Sequence, residues 1–187
     1  MRFSAVKSSS RRLTQKTKQT WHCSKHSALN HSISLRKKRL SVLFFDDIDV
    51  GYRSTVGTYT LNEREIVEFA ATWDPQPFHI DKDAANVSIF GGLIASSLHL
   101  FAICTRLFFD HADQIQVMAM LGKEKIRIPN PARPGDVLTY RTECVRKNPS
   151  SSRTDRGVIT LSDTLANQRN EPVLTQEVAL LVARREA

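Results

Sequence analysis

From residue 62 onward the apolar positions change their spacing twice, and those changes divide the chain into helices and strands. Residues 62–73 carry Ile66, Val67, Phe69, Ala70 and Trp73, which share one face at helical spacing. Asn62 is a good N-cap, Glu65 has the spacing of a capping box, and Glu63 suits the positive end of the helix dipole. The pattern predicts a surface helix that stops near Trp73. Pro75 and Pro77 disfavour helical geometry at Asp74 and Gln76, and each removes a backbone donor. The stretch LIASSLHLFAICTRLFF, residues 93–109, is apolar nearly all round, the pattern of a buried helix. Alternation then takes over. QIQVMAML, KEKIRIP, DVLTYRTECV, GVITLSDTLA and VLTQEVALLVA are each predicted as strands, and an earlier run through Val56, Tyr59 and Leu61, after a polar turn at Gly51, suits another. Pro134 and Gly135 fit the centre of a tight turn, and the serine-rich residues 148–157 fit an exposed hairpin loop. The order is a strand, a surface helix, a buried helix and about five strands. It predicts an α+β domain whose antiparallel sheet wraps one long helix.

Composition adds a division the apolar pattern does not show. The chain has 187 residues and a formal charge of +8, enough length for one domain with an appendage. Residues 1–40 hold 11 Lys or Arg and no Asp or Glu, which leaves 16 basic against 19 acidic residues in 41–187. The expected globular part is therefore mildly acidic, which argues against nucleic acid as a partner. The basic, Ser-rich leader has the character of a mitochondrial transit peptide and equally of a disordered tail. RKKR at 36–39 has the form of a nuclear-type signal. His22, Cys23 and His26 lack the paired spacing of a zinc module, so no metal is expected. Three scattered cysteines, Cys23, Cys104 and Cys144, argue for a reducing compartment. The cytoplasm is the expected location, with the mitochondrion as the alternative. The polar residues within 93–109 argue against a membrane span.

The chemistry concentrates in WDPQPFHID, residues 73–81, where Asp74 and His79 flank two prolines in a segment predicted to be neither helix nor regular strand. One reading makes them an acid–base pair held on a stiff path beside the buried helix, with His79 as the candidate general base. The other has Asp74 closing a turn and His79 satisfying a local hydrogen bond. In an extended segment residues five apart point to opposite faces, so the two converge only if the chain kinks between them.

The runs FAATWDPQPFHID, FGGLIASSLHL and RIPNPARPGD together resemble the hot-dog-fold MaoC-like dehydratases, relatives of the (R)-specific enoyl-CoA hydratases. The resemblance covers about residues 43–184. Asp74, Pro77, Phe78 and His79 match the family's motif in place; Gln76 replaces its usual asparagine, and Ser96-Ser97 stands where the hydratases usually have His-Gly. The resemblance implies an acyl-CoA hydratase or dehydratase of fatty acid metabolism. It implies that Asp74 and His79 share the acid and base roles, that Ser96 and Ser97 lie at the thioester carbonyl, and that the site assembles in a homodimer. It implies no cofactor beyond coenzyme A as part of the substrate. Thr105 falls where hydratases carry a hydroxyl that supports the aspartate, and a helix residue bonding its own backbone is the alternative. His99 reads as a satisfied core histidine. Arg133, Lys123 and Lys125 are candidates for the coenzyme A phosphates and equally for plain surface charge. Two other readings of the whole remain open: a hot-dog thioesterase, and an inactive subunit of a heteromeric dehydratase.

Overall fold

The computed structural model of the protein describes residues 41–185, so the basic leader and its histidines, cysteine and RKKR run lie outside the described residues. The chain opens with β1 (Ser41–Leu43) and a short 3₁₀ helix (Phe45–Asp47), followed by β2 (Arg53–Thr60). Four helices come next: α1 (Glu63–Trp73), α2 (Pro77–Ile80), α3 (Lys82–Val87) and α4 (Ser97–Asp110). Five strands complete it: β3 (Asp113–Ile115), β4 (Val117–Arg127), β5 (Val137–Pro149), β6 (Arg156–Ala166) and β7 (Pro172–Ala183). β1 and β3 pair in parallel, and the main sheet is antiparallel in the order β2-β5-β6-β7-β4.

The sheet follows from period-two burial. Leu138, Tyr140, Thr142 and Cys144 of β5, Ile159, Leu161, Asp163 and Leu165 of β6, and Leu174, Gln176, Val178, Leu180 and Val182 of β7 all point inward. α4 covers that face with Leu100, Ile103, Cys104 and Leu107, spaced as one helical stripe. The turn Arg133–Asp136 closes with the Asp136 N–H donating to Arg133 O at 3.1 Å, and Gly135 takes φ 86°, the positive value a type II turn needs at its third position.

Several elements differ from the sequence expectation. The long helix starts at Ser97 rather than Leu93, because Leu93–Ala95 lie outside any helix, the Ala95 N–H donates to Ala132 O at 2.9 Å and Ser96 is the extended N-cap. It is also not buried all round: Leu98 and Phe109 are 45% and 71% exposed, since the sheet covers one side only. VMAML and KEKIR form a single strand, β4, whose ladder with β7 runs past Gly122 through register shifts instead of turning there. Glu65 does not close a capping box. Asn62 caps α1 through the Arg64 N–H, while the Glu65 carboxylate accepts from the Tyr59 hydroxyl at 2.7 Å.

Gly157 packs closely against the ring of Phe45. A Cβ there would lie 2.3 Å from the buried Phe45 ring. Gly157→Ala should therefore destabilise by about 1–3 kcal/mol through overpacking. That corresponds to a fall of roughly 3–10 °C in the thermal unfolding midpoint, which calorimetry would read.

Candidate active site

Asp74 is the C-cap of α1. Its N–H donates to Ala70 O at 2.9 Å and its dihedrals (φ −156°, ψ 70°) leave the helix. The chain then reverses within two residues, the Gln76 N–H donating to Asp74 O at 2.7 Å. Against expectation, a helix begins at once: Pro77 occupies its first position, where a missing N–H costs nothing and the fixed φ is already helical, and Gln76 is extended as a residue before proline must be. One turn later Asp81 caps α3 by accepting from the Ala84 N–H at 2.9 Å. These two changes of direction provide the kink that Asp74 and His79 need in order to meet.

They do meet. His79 Nε2 lies 3.5 Å from Asp74 Oδ2, with the imidazole buried and the carboxylate about a quarter exposed. His79 Nδ1 is 2.8 Å from Ile94 O. A carbonyl can only accept, so Nδ1 carries the proton and a neutral ring presents a bare Nε2 lone pair to Asp74. The Ser96 hydroxyl donates to the same Asp74 Oδ2 at 2.6 Å and accepts from the Leu98 N–H at 3.2 Å, so it caps α4 and orients the carboxylate together. The His99 and Leu100 N–H groups reach Ser96 O. Of the first four N–H groups of α4, this leaves that of Ser97 without a partner among the described residues. Asp74, His79, Ser96 and Ser97 are thus brought together at the positive end of α4.

Thr105 is not part of this group. Its hydroxyl donates to Phe101 O at 2.9 Å two turns down an exposed side of α4, so the hydroxyl beside Asp74 in this chain is that of Ser96, the N-cap that directly follows the Leu93–Ala95 run the sequence pattern merged into the helix. Arg133 is engaged structurally, donating to Phe90 O at 2.6 Å, and Lys125 pairs with Glu177 at 2.6 Å. Lys123 lies 4.7 Å over the Phe101 ring. No cluster of three or more metal-ligating side chains occurs among the described residues, and no helix among them is long and apolar enough to cross a membrane.

An antiparallel five-stranded sheet with one long helix laid along its inner face is the hot-dog fold, and the site stands at the start of that helix. Residues 51–166 match the MaoC like domain, and the chain belongs to that family. It is 35% identical to Protein MaoC of Klebsiella aerogenes over 111 residues, 59% of this chain and 33% of that one, so the match spans about a third of the Klebsiella protein. The crystal structure of the MaoC-like dehydratase from Rhodospirillum rubrum superimposes with a TM-score of 0.73 at 38% identity, covering 78% of this chain and 99% of that one. R-hydratase PhaJ1 from Pseudomonas aeruginosa shares the fold, with a TM-score of 0.60 at 21% identity over 77% of this chain and 91% of that one.

His99 sits one turn into α4, stacked on Phe69 with ring centroids 4.5 Å apart. It is buried as expected but not satisfied, since its Nδ1 has no hydrogen-bond partner among the described residues. Burial holds its pKa below the ordinary histidine value, partly offset by the Glu65 carboxylate. The unfolded chain therefore binds a proton the folded one resists. The stabilisation is full above about pH 6.5 and is lost as pH falls below that value. The urea midpoint should drop on acidification from neutral to mildly acid pH, and drop less in His99→Phe, which keeps the stack and removes the titration.

Proposed function

We propose that this chain is a hydro-lyase that adds or removes water across the α,β double bond of an enoyl-CoA thioester. The observation that carries this reading is the convergence of two proton acceptors, His79 Nε2 and Asp74 Oδ2, at 3.5 Å beside a helix start whose Ser97 N–H has no partner among the described residues. Two acceptors facing each other call for a donor between them. A water can give one hydrogen to each and turn its lone pair toward the β-carbon.

As the water oxygen attacks, one of its protons passes to the pair. Electron density moves through the double bond onto the thioester oxygen, where the Ser97 N–H and the positive helix end stabilise it. Protonation of the α-carbon by the pair then completes the addition, and the reverse sequence is dehydration. The names of the Rhodospirillum dehydratase and the Pseudomonas R-hydratase accord with this chemistry.

The same reading includes a homodimer. β4 is an edge strand that exposes Met118, Met120, Leu121 and Ile126, and a long apolar edge of this kind needs a partner. A second copy pairing along β4 would cover it. Sedimentation should give a dimer at micromolar concentration, and Leu121→Lys should shift it toward monomer; wild-type protein that sediments only as a monomer would count against the pairing.

With crotonyl-CoA, the purified protein should remove the enoyl absorbance without releasing free thiol. Thiol release would mean thioester cleavage and end the hydratase reading. Asp74→Asn and His79→Ala should each lower the rate by about 10²- to 10⁴-fold with the circular dichroism spectrum unchanged.

A further inference from the structure

Ser96 stands in the site without access to a substrate. It is 0% exposed, and its polar groups are already engaged. The hydroxyl donates to Asp74 Oδ2 at 2.6 Å and accepts from the Leu98 N–H at 3.2 Å, while the Ser96 carbonyl accepts from the His99 and Leu100 N–H groups. The direction of the first bond follows from its surroundings. Among the described residues the hydroxyl proton has no acceptor other than Asp74, so a proton placed on Oδ2 would oppose it and strand a buried hydroxyl.

We infer that Ser96 is a positioning residue that acts through Asp74, and that by occupying Oδ2 it makes His79 Nε2 the proton carrier of the two facing acceptors. A proton arriving on Nε2 meets no opposing hydrogen. The resulting imidazolium donates its Nδ1–H to Ile94 O, 2.8 Å away, and turns its Nε2–H toward an Asp74 carboxylate 3.5 Å away that remains an anion. In hydration, the water O–H bond breaks toward Nε2 as the water oxygen bonds to the β-carbon, and the π electrons move onto the thioester oxygen. Nε2 then returns a proton to the α-carbon, and Asp74 holds first the water and then the imidazolium charge. The reaction rests on the hydratase reading, whereas the link from Ser96 to Asp74 is measurable without turnover.

The same hydroxyl caps α4, so the test has to separate capping from positioning. Glycine is nearly as good an N-cap as serine: Ser96→Gly keeps most of the cap and removes the link, Ser96→Ala removes both, and Ser96→Thr keeps both. With crotonyl-CoA, kcat should fall roughly ten- to hundredfold in the glycine and alanine variants alike, the worth of one hydrogen bond to a charged group. KM should stay unchanged, and Ser96→Thr should recover kcat. In an Asp74→Ala background, Ser96→Gly should cost under about twofold more, because the group it acts through is gone. A raised KM at constant kcat would make Ser96 a substrate contact and overturn the inference, as would losses that multiply in the double variant or a wild-type kcat in Ser96→Gly. Urea unfolding of wild type, the two single variants and the double variant reads the link alone, with an expected coupling of about tenfold in the unfolding equilibrium constant; additive effects would overturn it. Should the double variant fail to fold, the kcat and KM of the Ser96 variants decide. Coupling in a protein that hydrates no enoyl thioester would keep Ser96 on Asp74 and remove the hydratase reading, and hydration without coupling would do the reverse.

Discussion

The inner face of the sheet has to be covered, and α4 is the element that covers it. Leu100, Ile103, Cys104 and Leu107 lie on its buried stripe, and removing one such side chain from water is worth about 1.5–3 kcal/mol. That packing fixes where the helix starts. The segment leading into it is held from two sides: the Ala95 N–H donates to Ala132 O in the loop between β4 and β5, and the Ile94 N–H donates to Phe78 O in α2. The positive end of α4 is therefore a fixed point, and the residues that approach it come from three separate parts of the chain.

Ser96 makes that fixed point chemically useful. Its hydroxyl accepts from Leu98 and donates to Asp74, so one side chain links the capping of α4 to the orientation of a carboxylate at the end of α1. Ile94 O does the corresponding work for His79 by claiming the Nδ1 proton. The two interactions decide opposite things. Asp74 has one oxygen already bonded, whereas the imidazole has its reactive nitrogen left bare. On the proposed reading, a serine here in place of the histidine more usual in the family moves support of the carboxylate onto the helix cap itself. The following Ser97 still supplies a backbone N–H, which any residue except proline can do.

The sequence made the architecture legible where one side chain in two, or three to four in seven, decides burial. α1, β5, β6 and β7 are visible in this way because their apolar residues face one surface only. What escaped depended on other kinds of information. Pro77 reads as a helix breaker, but at a first helical position it is a helix starter, and only the geometry of Gln76 distinguishes the two. Glu65 has the spacing for a capping box and is taken instead by Tyr59, a residue on β2 that local spacing cannot bring into view. The motif around Asp74 and His79 identified the pair, but its closure through Ser96 joins residues 22 positions apart. Counting along the helix pointed to Thr105 for that support, yet Thr105 bonds its own helix.

The polar residues on the inward face of the sheet are the other feature that alternation alone misreads. Thr142, Asp163 and Gln176 occupy positions whose neighbours on the same face are almost all apolar, so by period they belong to the core. A core selected for stability alone would do as well or better with hydrophobic residues there, since burying a carboxylate costs several kcal/mol even when it is well bonded. Three donors on Asp163 offset much of that cost, while Gln176 Oε1 stays buried without a hydrogen-bond partner among the described residues. The interface between α4 and the sheet is thus polar near the helix start, apolar along Leu100, Ile103 and Leu107, and polar again around the buried Asp163 network.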